Sequence, residues 1–301
     1  MDFLAAIQAI TGKNNAVADE PMAKHTTFRT GGAAKYAAFV SNASEIESLI
    51  RLCNSNSVQY YIIGNGSNVL ISDKGYDGLM IIIGRNMSDI SVEGEMINAK
   101  AGALLSTIGS KALNAGLTGF EFACGIPGTL GGACFMNAGA YGGEMKDILV
   151  SVDAVTPDGT VRTFGADELG LGYRTSMFTQ GGYVIVGALM RLHRGSYDDI
   201  KACMDELAYK RRLKQPLEYP SAGSTFKRPE GMFAGQLIEE SGLKGRGVGD
   251  ACVSDKHAGF VINKGTASAR DIYDTIQLVI SEVKRQKGVI LEPEVRIIGE
   301  F

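Results

Sequence analysis

A chain of 301 residues, 45% hydrophobic and 21% charged, has the composition of a folded globular protein with two or three domains rather than a disordered tract. Its net charge of -3 argues against a nucleic-acid surface, which carries a basic excess, and no apolar run approaches the ~20 residues of a membrane span. Five cysteines without a Cys-x-x-Cys pair, and three scattered histidines, predict free thiols in a reducing cytoplasm and no metal site; an early Asp2 and no basic stretch at the N-terminus predict no secretory signal.

In chain order, residues 1–18 are predicted as a short helix, 19–35 as a loop and 36–40 as a strand. Ser44-Glu45-Ile46-Glu47 has the form of a capping box and opens a helix to Asn54, with Ile46, Leu49, Ile50 and Cys53 on one face. The apolar run Tyr60-Tyr61-Ile62-Ile63 reads as a buried strand ending in a Gly64-Asn65-Gly66-Ser67-Asn68 turn, and 79–83 as another. From 85 to 195 the pattern changes to short strands, with a helix at 104–115 stopped by Gly116 and a hairpin (147–156 and 160–164) around Pro157-Asp158-Gly159. A strand follows at 183–193. A helix at 197–213 runs to Pro216 and Pro220, two breakers that predict a domain boundary. A helix at 268–287, with Ile272, Ile276, Val279, Ile280 and Val283 on one stripe, stops before Gly288 and is followed by a closing strand at Val289-Ile290-Leu291. The class is α+β.

The most informative stretch is 125–143, with seven glycines in nineteen residues, interleaved with apolar and polar positions. It looks too irregular for a helix and too glycine-rich for a strand. Glycine costs roughly 0.5–1 kcal/mol relative to alanine in a regular element. Such a run therefore suggests a backbone that comes very close to something, either an elongated anionic cofactor held by main-chain N–H groups or a tight buried loop. Gly64-Asn65-Gly66-Ser67-Asn68 supplies amide and hydroxyl donors without carboxylates, as a pyrophosphate requires, although an Asn-Gly hairpin has the same composition. The two loops together suit a dinucleotide.

Three further segments carry candidate chemistry. Arg174, in Tyr173-Arg174-Thr175-Ser176-Met177-Phe178, can clamp a substrate carboxylate or form a structural ion pair. Ser224 follows a glycine and precedes Lys227 and Arg228, cations able to stabilise an alkoxide; the alternative is a surface turn. In Leu291-Glu292-Pro293-Glu294-Val295 one glutamate can enter a cleft, or the segment is a solvated edge strand. The run Lys210-Arg211-Arg212-Leu213-Lys214 is adequate for a diphosphate.

Taken together, these residues resemble the UDP-N-acetylenolpyruvoylglucosamine reductases, flavoenzymes of peptidoglycan precursor synthesis. The matching segments run in order from His25-Thr26-Thr27-Phe28-Arg29-Thr30-Gly31-Gly32 to Leu291-Glu292-Pro293-Glu294-Val295-Arg296, nearly the whole chain after residue 20. The resemblance implies a vanillyl-alcohol-oxidase-type FAD-binding fold in two subdomains (1–84 and 85–195), with 289–301 returning to the first, plus a C-terminal α+β substrate-binding domain at 196–288. It implies non-covalent FAD on Gly64, Asn65, Gly66, Ser67 and Asn68 and on Gly125, Ile126, Pro127, Gly128, Thr129, Gly131, Gly132, Ala133, Asn137, Gly139, Ala140 and Tyr141. NADPH is the implied reductant and UDP-N-acetylglucosamine enolpyruvate the substrate, in the cytoplasm, with no nucleic-acid, membrane or obligatory protein partner. Arg174 matches the family's substrate-activating arginine, Ser224 its proton donor and Glu294 its catalytic glutamate. Tyr173, Arg211, Arg212, Lys227, Arg228 and His257 are the substrate-binding candidates. The short 174–224 segment resembles the compact form of the family; Arg228 stands where the longer form has asparagine and His257 where it has glutamine. Two rival readings are an oxidase of the same fold, with FAD tethered through Cys124 or Cys134, and a non-catalytic nucleotide-binding module.

Overall fold

The structure, a computed structural model, describes residues 2–301. The chain forms two compact units: one holds the residues up to Ala18, Tyr36–Asn65 and Gly78–Arg211, the other Asp19–Lys35, Gly66–Asp77 and Arg212–Phe301.

In the first unit, α1 (Phe3–Thr11) ends where Gly12 takes φ +90, so the predicted helix is shorter than 1–18 and Ala16–Pro21 is strand instead. Helix α2 (Ala43–Asn56) buries Ile46, Leu49, Ile50 and Cys53 as the periodicity requires. Its cap lies two residues upstream of the predicted box: Asn42 accepts the Glu45 N–H at 2.9 Å, and the Glu45 carboxylate accepts the Ser41 N–H at 2.7 Å. Asparagine caps as well as serine, and the same chemistry moved upstream. Tyr60–Ile63 pairs in parallel with Tyr76–Ile82, Tyr60 opposite Leu79 and Ile63 opposite Ile82. A five-stranded sheet follows in the order Val161–Gly165, Leu149–Val155, Val184–Arg191, Met96–Lys100, Ile90–Glu93. Its hairpin sets Val155 against Val161 and Val152 against Phe164. Helix α3 (Leu105–Asn114) stops at Gly116, whose φ of +64 supplies the left-handed turn that glycine tolerates best. Helix α4 (Leu130–Phe135) lies inside the glycine-rich stretch, a short helix where the sequence argued against one. Helix α5 (Tyr197–Lys214) completes the unit's elements. Phe164, Phe178 and Tyr183 meet edge to face, with centroids 5.6 to 5.9 Å apart, in a core continuous with Leu105, Leu130 and Val152.

The second unit contains α6 (Ala234–Glu240), α7 (Ala269–Lys287) and a three-stranded sheet of Gly247–Val248, Ala251–Val253 and Val261–Asn263. Helix α7 buries Ile272, Ile276, Val279 and Val283 with Ile280 at the margin, packed with Phe28, Phe226 and Leu291. Ser268 and Asp271 form its capping box, and the Asp73 carboxylate accepts the N–H groups of Ala269 (2.9 Å) and Arg270 (2.8 Å). Residues 289–291 form no strand. Leu291 enters the core without a ladder, and the strand is Arg296–Ile298, parallel to Val69–Ile71.

Asn263 is buried to 3% exposure and fastens two distant segments: its Nδ2 donates to Phe28 O at 3.1 Å, while its Oδ1 accepts the N–H groups of Gly265 (3.0 Å) and Ala267 (3.1 Å). Asn263→Ala leaves those groups unpaired and should lower unfolding stability by about 1–3 kcal/mol, read as a fall in urea midpoint at unchanged m-value. An unchanged midpoint would show that water replaces the lost bonds.

Candidate functional site

The first unit brings Gly64 and Asn65 of one predicted cofactor loop against the other, 125–143. Asn65 Nδ2 donates to Pro127 O at 2.8 Å, and a Cβ on Gly64 would collide with Thr129 Oγ1. The 125–143 stretch lies against 101–105: Gly131 N–H bonds Ala101 O at 2.8 Å, Leu130 N–H bonds Ala103 O at 2.9 Å, and Leu105 N–H bonds Gly128 O at 3.1 Å. A Cβ on Gly131 would stand 3.0 Å from Ala101 Cβ, so that position is glycine because of close approach. Neither 64–65 nor 125–143 contains a carboxylate, and Glu144, just beyond, is neutralised by Lys146 and bonded by Asn137 Nδ2. A carboxylate-free wall of closely packed backbone fits a pyrophosphate-bearing dinucleotide. Gly66, Ser67 and Asn68 belong to the second unit. There a Cβ on Gly66, whose φ is +59, would strike His25 O, and Thr27 N–H donates to Gly66 O at 3.1 Å. The His25–Thr27 segment thus supports this turn.

Cys124 and Cys134 were the conceivable covalent tethers. Burial pushes both thiols up to about 12, with Glu121 adding to the effect at Cys124. Thiols so raised stay protonated near neutral pH and are poor nucleophiles, which favours the non-covalent reading. Among the described residues, no group of three or more His, Cys, Asp or Glu side chains is arranged to hold a metal ion, and no helix is long and apolar enough to cross a membrane.

Arg174 lies on a tight turn in the first unit. Gly172 N–H bonds Thr175 O at 3.1 Å, Thr175 N–H bonds Gly172 O at 3.3 Å, and Arg174 itself has φ +55. Its half-buried guanidinium is 5.3 Å from the centroid of the exposed Tyr173 ring and 3.5 Å from Gly139 O on the glycine-rich stretch. The Asn137 and Ser176 side chains tie the two ends of this turn to the same stretch, by bonds to Gly172 O and from Ser176 to Phe135 O.

In the second unit the segments that carry Ser224 and Glu294 are bonded to each other through Thr225. That residue is fully buried; its N–H bonds Gly259 O at 2.8 Å, its Oγ1 accepts Val261 N–H at 2.9 Å, and its carbonyl accepts Glu294 N–H at 2.8 Å. With Thr225 fixed, Ser224 remains on the exposed side after Gly223, which has φ +75 and open space around it. Asn68 Nδ2 donates to Glu294 O at 3.2 Å and Asn68 O accepts Arg296 N–H at 3.0 Å, so Asn68 also sets the Glu294 backbone. Glu292 is exposed and paired with Lys227, while Glu294 is half-buried.

The basic residues among the substrate-binding candidates have separate surroundings. The Arg211 guanidinium donates to Gly125 O and lies 5.9 Å from the Tyr141 centroid, which ties it to the glycine-rich stretch. Lys227 pairs with Glu292, and Arg228 is exposed with its guanidinium 4.7 Å from the Phe233 ring centroid. Arg212 is exposed, and its carbonyl accepts Lys256 Nζ at 2.7 Å. His257 accepts Gly259 N–H on Nδ1 at 3.1 Å, and burial lowers its pKa. It is therefore a neutral imidazole with Nε2–H as a donor, the role a glutamine amide fills. Thr225 and Ser176 escaped the sequence reading because buried polar side chains bonded to backbone leave no spacing signature; only their places inside the motifs pointed to them.

Residues 34–165 match the family described as "FAD binding domain", and 215–298 match "UDP-N-acetylenolpyruvoylglucosamine reductase, C-terminal domain". The chain is 52% identical over 295 residues to the UDP-N-acetylenolpyruvoylglucosamine reductase of Agathobacter rectalis, covering 94% of each chain. It is 48% identical over 299 residues to that of Clostridium botulinum, covering 99% of this chain and 97% of the relative. The crystal structure of the Thermus caldophilus enzyme superposes with a TM-score of 0.80 at 33% identity, over 94% of this chain and 98% of that one. A variant of Phl p 4, a glucose oxidase, shares the fold alone, with a TM-score of 0.52 at 16% identity over 65% of this chain and 45% of its own. The fold is of the vanillyl-alcohol-oxidase type with a second α+β domain, and the chain belongs to the UDP-N-acetylenolpyruvoylglucosamine reductase family.

Proposed function

We propose that the protein reduces the enolpyruvyl ether of UDP-N-acetylglucosamine enolpyruvate to UDP-N-acetylmuramate, with FAD as bound cofactor and NADPH as reductant, in the cytoplasm as a step of peptidoglycan precursor synthesis. The observation that carries the reading is the junction of two carboxylate-free loops, Asn65 on Pro127 and Gly64 on Thr129, in a chain of this family. Gly64, Asn65 and positions 125–133 and 139–141 would hold FAD, with Gly66, Ser67 and Asn68 completing the turn. The three-part division at 84, 195 and 288 would assign FAD binding to the first two parts and the nucleotide sugar to the third.

When bound, FAD supplies two-electron chemistry, drawing on NADPH and delivering to the enolpyruvyl group. The protein's residues manage charge and protons. As C3 is reduced, negative charge spreads onto the adjacent carboxylate. Arg174 offers two parallel N–H donors to that carboxylate, a pre-set interaction of the kind worth several kcal/mol in a site with little water. Glu294 assists Arg174 in holding the developing enediolate. Ser224 then gives its Oγ proton to C2 and regains one from solvent, so C2 and C3 each gain one hydrogen. Arg228 and the His257 Nε2–H serve the nucleotide end, with Tyr173, Arg211, Arg212 and Lys227 the other candidates there. A non-catalytic nucleotide-binding module would have no use for Arg174, Ser224 and Glu294 together.

Gly131→Val should yield folded, soluble protein that purifies without yellow colour, because a β-branched side chain forces the loop off Ala101; full flavin occupancy would refute the loop assignment. Ser224→Ala should bleach with NADPH near the wild-type rate, yet recover colour with the enolpyruvyl substrate more slowly by about 10²–10⁴, the usual contribution of a positioned acid. Stopped-flow absorbance separates the two half-reactions. Equal slowing of both would make Ser224 structural.

A further inference from the structure

Arg174 holds a backbone conformation that residues with side chains rarely adopt, with φ +55. Such strain persists only where the surroundings over-determine it. Two buried side chains do so here. Asn137, 1% exposed and itself at φ +45, donates from Nδ2 to Gly172 O at 3.0 Å and to Glu144 Oε2 at 2.5 Å, and its Oδ1 accepts Lys146 N–H at 2.9 Å. Both amide protons are therefore engaged within the protein. Ser176, 3% exposed, donates from Oγ to Phe135 O at 2.6 Å and accepts Phe178 N–H at 3.3 Å. One bond thus holds each end of the 172–176 turn, and both run to the 135–137 segment of the glycine-rich stretch.

We propose that Asn137 and Ser176 are positioning residues for the reaction: they staple the Arg174 turn to the cofactor loop and thereby aim the guanidinium. Asn137 is a cofactor candidate in the sequence; its buried side chain is bonded to this turn. The proposal rests on the assignment of Arg174 to the substrate carboxylate. Without either staple the turn can relax toward negative φ, which swings the guanidinium while leaving its charge and chemistry intact. A displacement of about 1 Å in such a group can lower a rate by as much as 10²-fold.

The test uses the flavin-loaded enzyme carrying Ser176→Ala, Ser176→Thr, Asn137→Gly (which keeps positive φ accessible) or Arg174→Ala. Ser176→Ala and Asn137→Gly should keep their flavin and bleach with NADPH as the wild type does, while recovery by the enolpyruvyl substrate slows by about 10–100-fold. Ser176→Thr should restore most of that rate. Added to Arg174→Ala, either change should cause no further slowing, since it acts only through the missing guanidinium. Hydrogen exchange at the Gly172 and Thr175 amides should speed up in Ser176→Ala and Asn137→Gly but not in Arg174→Ala. Additive slowing in the Arg174→Ala background, loss of flavin, or equal slowing of bleaching and recovery would overturn the proposal. If Arg174→Ala leaves recovery unchanged, the arginine's own assignment fails and the staple falls with it. If Arg174→Ala slows recovery but the two staple variants do not, only the positioning role fails.

Discussion

The meeting of Gly64 with Thr129 is the constraint on which the first unit's site depends. A side chain at Gly64 would collide with the threonine hydroxyl, and Asn65 then reaches Pro127 O at 2.8 Å. Backbone stands where side chains would otherwise fill the space, and no carboxylate lies on 64–65 or 125–143. That absence of bulk is the physical basis for holding an anionic, elongated cofactor. Its conformational cost, roughly 0.5–1 kcal/mol for each glycine in regular structure, is offset by the 101–105 segment, whose carbonyls accept the Leu130 and Gly131 N–H groups.

From this loop the first unit's chemistry follows by short bonded paths. The stretch carries Gly139 O beside the Arg174 guanidinium, and it accepts the Ser176 staple at Phe135. Its two ends are clasped by Arg211, which bonds Gly125 O and faces Tyr141. In the second unit a single buried threonine has a similar place: every polar group of Thr225 is bonded, and through its carbonyl it sets the Glu294 backbone next to the segment bearing Ser224. The proposed catalytic side chains are thus carried on segments whose neighbours are bonded in place, an arrangement that would pre-orient them at little entropic cost.

Periodic features were legible in the sequence. The α2 face, the hairpin around Pro157-Asp158-Gly159, the Gly116 stop and the capped α7 follow from apolar spacing and turn chemistry, and the structure contains each. Order inside the glycine-rich stretch was not legible, because α4 is set by bonds to Ala101 and Ala103 rather than by local propensity. The C-terminal strand was placed too early for a related reason. Val289-Ile290-Leu291 has strand-like composition, but the partner strand Val69–Ile71 pairs with Arg296–Ile298. Of the basic substrate-binding candidates between 211 and 228, Arg211 and Lys227 already have protein partners. Charge can be counted in a sequence, but whether it is neutralised depends on tertiary contacts.

The most direct measurement of the central claim is anaerobic absorbance of the purified protein at the flavin band. The account predicts a yellow protein that releases intact FAD on mild acid denaturation, bleaches with NADPH, and recovers its colour when the enolpyruvyl nucleotide sugar is added. A colourless preparation that takes up no FAD, or a reduced flavin that molecular oxygen reoxidises while the enolpyruvyl substrate does not, would contradict it.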